Sequence, residues 1–344
     1  MARHIQIDEF LTMRNTIPFV DVRSPAEFSK AHVPGAYNIP LLNDEERAAV
    51  GTNYKQKGRA EAVKLGLSIV GPKMLEKAEA AEKLAGTGKK LILYCWRGGM
   101  RSENMAWLFG RLDIECSVLK GGYKTYRHHV KDYMSKPAQL WVLGGMTGSG
   151  KTEILHELSE IGEQVVDLEG LANHKGSAFG TIGEDPQPET EHFENLLFEE
   201  LLKLRMDVPI WVEDESQAIG RDHIPEEFFV KMRASDVFKI ELKKHFRILR
   251  LVDQYTQTDQ QELKDAVCRI KKRLGGLNAR NALEAIEEKD YYTAAGIILA
   301  YYDKAYIHGL NKRENENIHT LELPEDNPQQ NARILREFAY SAVR

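Results

Sequence analysis

The sequence predicts an α/β fold in two parts, each a parallel sheet with helices on its faces. Two stretches predict it. Leu91-Ile-Leu-Tyr94 runs straight into Cys95-Trp-Arg-Gly-Gly-Met-Arg101-Ser102, an apolar strand, a glycine turn and then a helical run through Phe109. Leu140-Trp-Val-Leu143 runs in the same way into Gly145-Met-Thr-Gly-Ser-Gly150-Lys151-Thr152, followed by the helical segment 153–158. Strand, loop and helix in that order, with further short apolar runs between helical segments, is the grammar of parallel sheets.

At 344 residues the chain has room for two domains, and Ser135-Lys-Pro137 marks the boundary, giving 1–137 and 138–344. A charged fraction of 29% beside 42% hydrophobic residues excludes a disordered chain. The longest apolar runs are too short to span a bilayer, and the N-terminus lacks a signal peptide's apolar core, so no membrane role and a cytoplasmic location are expected. Cys95, Cys116 and Cys268 are far apart and form no Cys-x-x-Cys pair, so neither a zinc site nor a disulfide framework is expected. With a net charge of −5, any RNA contact must come from local basic patches.

In the first part, Pro18-Phe-Val-Asp21-Val-Arg23 reads as a strand, and Ser24-Pro-Ala-Glu27 as a capping box opening a helix. His32-Val-Pro-Gly35 reads as a turn. Asn43 caps a short helix ended by Gly51, a second helix ends at Gly66, and a third, starting at Pro72, is a solvated face. Cys95 falls at a strand's C-terminal end, among loop N–H groups and near Arg101, surroundings that favour a thiolate; a buried, inert thiol is the plain alternative. Ser102 is expected as the cap of the next helix. The run 123–131 alternates basic and aromatic residues, which suits either RNA stacking or an ordinary amphipathic helix.

Asp21-Val-Arg, Glu27-Phe, His32-Val-Pro-Gly-Ala, Asn38-Ile-Pro and the cysteine loop together resemble a rhodanese domain over about residues 5 to 135. The resemblance implies a small parallel sheet with flanking helices, and a Cys95 that carries a chalcogen. The loop departs from the common rhodanese pattern by one added residue: Trp96, Arg97, Gly98, Gly99 and Met100 separate Cys95 from Arg101, the spacing of dual-specificity phosphatases. The loop alone therefore leaves chalcogen transfer and phosphoester cleavage open, although it offers no general acid for the latter.

In the second part, Gly145, Thr147, Gly148, Ser149, Gly150, Lys151 and Thr152 form a Walker A pattern, whose N–H groups cradle phosphate while Thr152 faces Mg²⁺. Gln164-Val-Val-Asp167-Leu-Glu169 reads as a strand ending in acids. The glycine-dense loop after it brings His174 and Lys175 toward a ligand. Phe193, Leu196, Leu197, Leu201 and Leu204 mark a core helix. Pro209-Ile-Trp-Val-Glu213-Asp214 has the form of a Walker B strand, with Glu213 or Asp214 serving Mg²⁺. The remainder reads as helical. It carries basic clusters at 243–250 and 269–273 that are either solvated faces or a phosphate path, and tyrosines 291, 292, 301, 302 and 306 that read as core. This part is a P-loop NTPase-like α/β domain with a helical C-terminal portion.

Blocks along nearly the whole chain are similar to one family, the tRNA 2-selenouridine synthases: 43–51, Cys95 to Ser102, Gly121-Gly-Tyr-Lys, Asp167-Leu-Glu-Gly-Leu-Ala, Gly176-Ser-Ala-Phe-Gly and Glu213-Asp-Glu-Ser. The resemblance implies replacement of sulfur by selenium in wobble 2-thiouridine of tRNA. Geranyl diphosphate first alkylates the sulfur; Cys95 then takes selenium from selenophosphate and carries it as a perselenide to C2. It implies a selenophosphate supply and tRNA as partners, with no protein partner and no tightly bound cofactor beyond Mg²⁺. The added loop residue is expected to fit the donor's phosphate, with Arg101 binding it. The P-loop is expected to hold the prenyl diphosphate, and Gly66 is tied to the geranyl step. A rhodanese-type sulfurtransferase or a phosphatase-like domain fused to an ATP-binding domain is the alternative.

Overall fold

A computed structural model describes residues 2–137, 139–313 and 317–343. The chain divides into two compact units, Met1–Tyr133 and Met134–Arg344. The division falls at the end of a helix rather than at Pro137.

The first unit runs β1 (Arg3–Ile5), α1 (Ile7–Met13), β2 (Phe19–Asp21), α2 (Pro25–Lys30), β3 (Tyr37–Asn38), α3 (Asp44–Lys57), α4 (Arg59–Val70), α5 (Met74–Ala85), β4 (Lys90–Tyr94), α6 (Met100–Phe109), β5 (Glu115–Leu119) and α7 (Gly122–Tyr133). All its strands pair in parallel, in the order β1-β5-β4-β2-β3, so β4 is the middle strand. The capping box at Ser24 and the Asn43 cap form as the sequence predicts, and Glu46 completes the latter into a second box. Arg23 is buried and bound through Nε and Nη2 to Asp21 at 2.9 and 2.6 Å. It also donates to Ala31 O and lies 3.9 Å from the Tyr123 ring centroid. A buried guanidinium needs this many partners, because leaving water removes the hydration that any one of them replaces.

Four expectations change in this unit. Helix α3 passes through Gly51 and α4 passes through Gly66; the first stop comes at Gly58, whose φ of +84° a side chain would resist. A helical glycine lowers stability without forcing a stop, and the Asn43 box holds the helix beyond Gly51. Helix α5 buries Lys77, Ala78, Ala81 and Ala85, with Lys77 Nζ donating to Pro40 O at 2.7 Å, so it is a packed face. Helix α6 opens at Met100 with Gly99 as its cap, which places Ser102 in the first turn. Tyr123 and Tyr126 in α7 are fully buried and unable to stack on bases.

The second unit runs β6 (Leu140–Gly145), α8 (Lys151–Glu160), β7 (Gln164–Val166), α9 (Leu168–Ala172), α10 (Thr190–Leu202), β8 (Ile210–Glu213), β9 (Ala218–Ile219), β10 (Asp222–His223), α11 (Glu226–Ala234), β11 (Asp236–Glu241), α12 (Lys244–Thr256), α13 (Gln260–Leu274), α14 (Gly276–Glu287), α15 (Tyr291–Leu310), β12 (Ile318–Glu322) and α16 (Pro328–Ala342). Its main sheet is parallel in the order β12-β11-β6-β8-β7, again with the loop-bearing strand, β6, in the middle. Trp141, Trp211 and Phe238 from three adjacent strands pack with centroids 5.1 to 5.4 Å apart and fill one face. A second core, including Leu263, Val267, Ile286 and Ile298, joins α12 to α15.

Strand β7 ends at Val166, and Asp167 caps α9 by accepting from Gly170 N at 2.7 Å, so Glu169 lies in a helical turn rather than on a strand. Leu204 lies beyond the end of α10. The basic cluster at 243–250 is divided: Lys243, Lys244 and His245 are exposed, whereas Arg247 and Arg250 are engaged by carboxylates. Arg247 is buried in a paired contact with Asp303 at 2.7 and 2.9 Å, and Arg250 pairs with Glu153 and Asp326. In the other cluster, Lys271, Lys272 and Arg273 are exposed. No helix among the described residues is long and apolar enough to cross a membrane.

Replacing Arg23 by Leu strands Asp21 as a buried, unpaired charge. Urea unfolding of the first unit should show a loss of about 3–5 kcal/mol. Lys64→Ala, at an exposed pair with Glu61, should move it by less than about 0.5 kcal/mol.

Candidate active sites: a cysteine loop and a phosphate loop

Cys95 follows the last residue of β4 and is almost wholly covered. Ser102 Oγ, on the first turn of α6, lies 3.3 Å from its sulfur and 3.0 Å from Gly99 O, so the hydroxyl can donate to a sulfur anion. The loop is clamped from the side: Tyr123 N donates to Cys95 O at 2.9 Å and Lys124 N to Trp96 O at 3.0 Å. That clamp requires glycine at two places. A Cβ on Gly98 (φ +62°) would lie 2.2 Å from Leu119 O, and one on Gly122 (φ +61°) 2.2 Å from Cys95 O. The backbone N–H groups of Arg97, Gly98 and Gly99 have no hydrogen-bond partner among the described residues, which leaves them open to an anion. Trp96, Arg97 and Met100 are exposed at the rim.

Arg101 is engaged elsewhere. Its Nη1 binds Glu27 at 2.9 Å, and Arg47 approaches the same carboxylate at 3.4 Å. Burial would raise the Glu27 carboxyl, but the Arg101 charge and hydrogen bond outweigh it and hold the carboxyl below its usual range. The guanidinium that the sequence assigns to the donor's phosphate is thus paired with α2. Gly66 lines an apolar groove from inside α4 and caps nothing. Cys116 is buried, and burial pushes its thiol up to about 12, which leaves it inert.

In the second unit the Walker A residues Gly145, Thr147, Gly148, Ser149, Gly150, Lys151 and Thr152 line a cavity of about 890 Å³. Gly148 and Gly150 have φ of +76° and +78°, and a Cβ on Gly148 would meet Arg247 O at 2.9 Å. The buried Arg247 also donates to Thr147 O at 3.1 Å, so α12 braces the loop. Lys151 Nζ donates to Gly145 O at 3.3 Å. The lining of the same cavity also includes the apolar and aromatic residues Phe179, Leu249, Tyr255, Ile298, Tyr302 and Tyr306. Tyr302 and Tyr306 are therefore cavity residues as well as packing residues.

Thr152 Oγ1 donates to Glu213 Oε1 at 2.8 Å and lies 3.4 Å from Glu169. Glu169, Glu213 and Glu215 present oxygens within 4.8 Å of one another. Burial, reinforced by the neighbouring carboxylates, pushes Glu169 and Glu213 up to about 8 and Glu215 up to about 7. Glu213 Oε2 and Ser149 Oγ are buried without a hydrogen-bond partner. Crowded oxygen donors beside a phosphate nest, one of them orphaned, fit a hard divalent cation such as Mg²⁺.

Asp214, one of the expected Mg²⁺ residues, turns away and pairs with the buried Arg313. Strand β8 ends at Glu213, and Glu215 N donates to Glu213 O at 2.9 Å, a tight turn just past the strand that leaves Glu215 beside Glu213. Glu215 gave no periodic signal, because its position depends on that turn. Glu169 gave no such signal, because its position depends on α9 replacing the end of a strand. Lys175 lines the cavity and pairs with Glu184 at 2.7 Å. His174 does not line it. It is buried against Gly180 and Gly220, and burial lowers its pKa.

Comparison with known proteins agrees with this arrangement along the chain. The family model for the tRNA 2-selenouridine synthase AAA domain matches residues 138–325, and the rhodanese-like domain model matches 6–129. A tRNA 2-selenouridine synthase of Hydrogenovibrio crunogenus is 35% identical, covering 90% of this chain and 94% of that protein. The chain belongs to the tRNA 2-selenouridine synthase family. Synthases of Marinobacter nauticus and Shewanella sediminis are 34% and 36% identical, over 92% and 88% of this chain and 95% and 90% of theirs. Membership places this synthase among tRNA-modifying transferases, and the matched AAA region contains the Walker A loop and all three carboxylates.

The folded pKa values of the three acids lie above the ordinary carboxylate value, so between about pH 4.5 and 8 the folded chain binds more protons than the unfolded one. Without divalent cation its stability should therefore fall as pH rises through that window. Thermal melts with and without Mg²⁺ should show a larger Mg²⁺ stabilisation at pH 8 than at pH 6, and Glu213→Gln should flatten both dependences.

Proposed function

We propose that this synthase converts wobble 2-thiouridine of tRNA to 2-selenouridine in two half-reactions, one in each unit. The observation that carries the reading is the pairing, in one chain, of an open cysteine loop with a phosphate nest whose cavity also has apolar and aromatic lining. A phosphate nest alone suits any nucleotide. A nest that shares its cavity with Phe179, Ile298 and Tyr302 also suits an amphiphile with a diphosphate head, such as geranyl diphosphate.

In the first half-reaction the thiocarbonyl sulfur attacks C1 of the geranyl group, and the C–O bond to diphosphate breaks. Lys151 and the loop N–H groups take up the charge of the leaving diphosphate. Glu169, Glu213, Glu215 and Thr152 would hold a Mg²⁺ ion, which supplies further neutralisation of that charge when bound. Alkylation matters because a thiocarbonyl is a poor leaving group and an S-alkyl group departs as a thiolate.

In the second half-reaction the Cys95 thiolate attacks the phosphorus of selenophosphate, the P–Se bond breaks, and the released selenide adds to C2 and expels the geranyl thiolate. Water then cleaves the S–P bond, returning the thiol and phosphate, so no atom changes oxidation state. The open N–H groups of residues 97–99 are the docking point for the donor's phosphate, and Ser102 steadies the sulfur. The expected substrates place the reaction in the cytoplasm.

Lys151→Ala should reduce geranylation of a 2-thiouridine tRNA at least about hundredfold, in keeping with removal of a charge that acts on the leaving group. Selenation of a pre-geranylated tRNA should change less than about threefold. Nucleoside mass spectrometry reads both steps, and equal loss of both would refute the division of labour.

A further inference from the structure

The first unit holds a second cavity, of about 590 Å³, that the two half-reactions do not yet use. It lies within the range of about 300–1,000 Å³ of small-ligand pockets. Its walls come from α3, α4 and α6, with Val50, Val63, Leu67, Val70, Met105 and Trp107 as the main apolar surface. Helix α3 buries no residue fully and α4 buries only Ala62, so this helical pair contributes little to the sheet's core. Leu67 and Trp107 are more than half exposed, an unusual state for side chains of that size.

Two glycines mark the lining. Gly51 and Gly66 both sit inside helices, where glycine lowers stability, and both line the groove. Neither is required by packing: a Cβ on Gly66 would meet nothing within 4 Å, and one on Gly51 only the tip of Arg47 at 3.8 Å. No contact of the fold explains them; open space in the groove does.

The groove reaches the cysteine loop. Met100 and Arg101, which close that loop, belong to its lining, and Ser102 beside them holds the Cys95 sulfur. Arg47, Lys55 and Arg59 add positive charge to the same lining, and all three side chains are exposed. An apolar trough with a basic margin, whose lining includes the last residue of the cysteine loop and Arg101 next to it, fits an apolar chain attached to an anionic polymer.

We propose that this groove holds the S-prenyl chain of the alkylated nucleobase during selenium transfer, with the basic residues facing the phosphates of the RNA. The contact is non-covalent. It sets C2 beside Cys95, and it makes the cysteine site selective for alkylated over unalkylated thiouridine. The inference rests on the two-step route proposed above and adds the recognition element for its second step.

The test uses the full chain and two short anticodon-loop RNAs, one carrying S-geranyl-2-thiouridine and one 2-thiouridine. The wild type should bind the geranylated RNA at least about tenfold more tightly. A leucine at Gly51 or Gly66 should remove about two methylene contacts, worth about fourfold each, and so erase about tenfold of that preference. Affinity for the 2-thiouridine RNA should change less than about twofold. Gly51→Ala and Gly66→Ala should raise the melting temperature, as expected of helical glycines, yet weaken binding of the geranylated RNA; a merely structural role would move both in one direction.

If the wild type converts the geranylated RNA with selenophosphate but the leucine variants bind it as tightly, the groove is not the prenyl site and the two-step reading stands. If the wild type fails to convert the geranylated RNA at all, the two-step reading fails and the groove proposal with it. Gly51-dependent binding of geranyl diphosphate alone, as tight as that of the geranylated RNA, would also overturn the assignment.

Discussion

In each unit the reactive loop leaves the middle strand of a five-stranded parallel sheet. Parallel pairing brings all strand ends to one edge, so the loop after the middle strand is flanked by the ends of two neighbours. After β4, the Cys95 loop is flanked by Asp21 and Arg23 from the end of β2 and by Gly121 and Gly122 beyond β5. After β6, the Walker A loop is flanked by Glu213 and Glu215 from the end of β8 and by the α12 arginines beyond β11. Backbone atoms past the last ladder bond need other partners, and the neighbours supply them or leave them to a ligand.

Buried cations do much of that supplying. Arg23 joins the end of β2 to Tyr123, whose N–H in turn fixes Cys95 O. Arg247 joins α12 and α15 to Thr147 O. Each is held by a carboxylate, so the positive charge shapes a loop and is not offered to substrate. The carboxylate triad is the converse case. Three acids share one buried place with Lys151 as the cation that lowers all three, and the cost of ionising them together is what a divalent ion would relieve.

Much of this was legible in the residues, because the decisive signals were local. The capping box at Ser24, the Asn43 cap, the cysteine turn and the Walker A loop each rest on contacts within a few residues. What failed depended on distant partners. Asp214 reads as a Walker B acid until Arg313, far along the chain, claims it. Arg101 reads as a phosphate ligand, and its Nη1 is here paired with Glu27, a partner on α2 that no local signal gives. The aromatic and basic run on α7 suits either an RNA surface or an ordinary amphipathic helix, and only the burial of Tyr123 and Tyr126 takes those two rings out of reach of bases. Gly51 and Gly66 read as helix stops, but a glycine lowers helix stability without forcing an end, and both helices run on through them.

The central claim is that the two loops act in series on one sulfur, the phosphate loop preparing it and the cysteine loop replacing it. The most direct measurement is mass spectrometry of the wobble nucleoside after tRNA is incubated with Cys95→Ala, geranyl diphosphate and selenophosphate. The account predicts accumulation of S-geranyl-2-thiouridine with no 2-selenouridine. Unreacted 2-thiouridine as the only product, from a folded variant that binds tRNA as the wild type does, would contradict it.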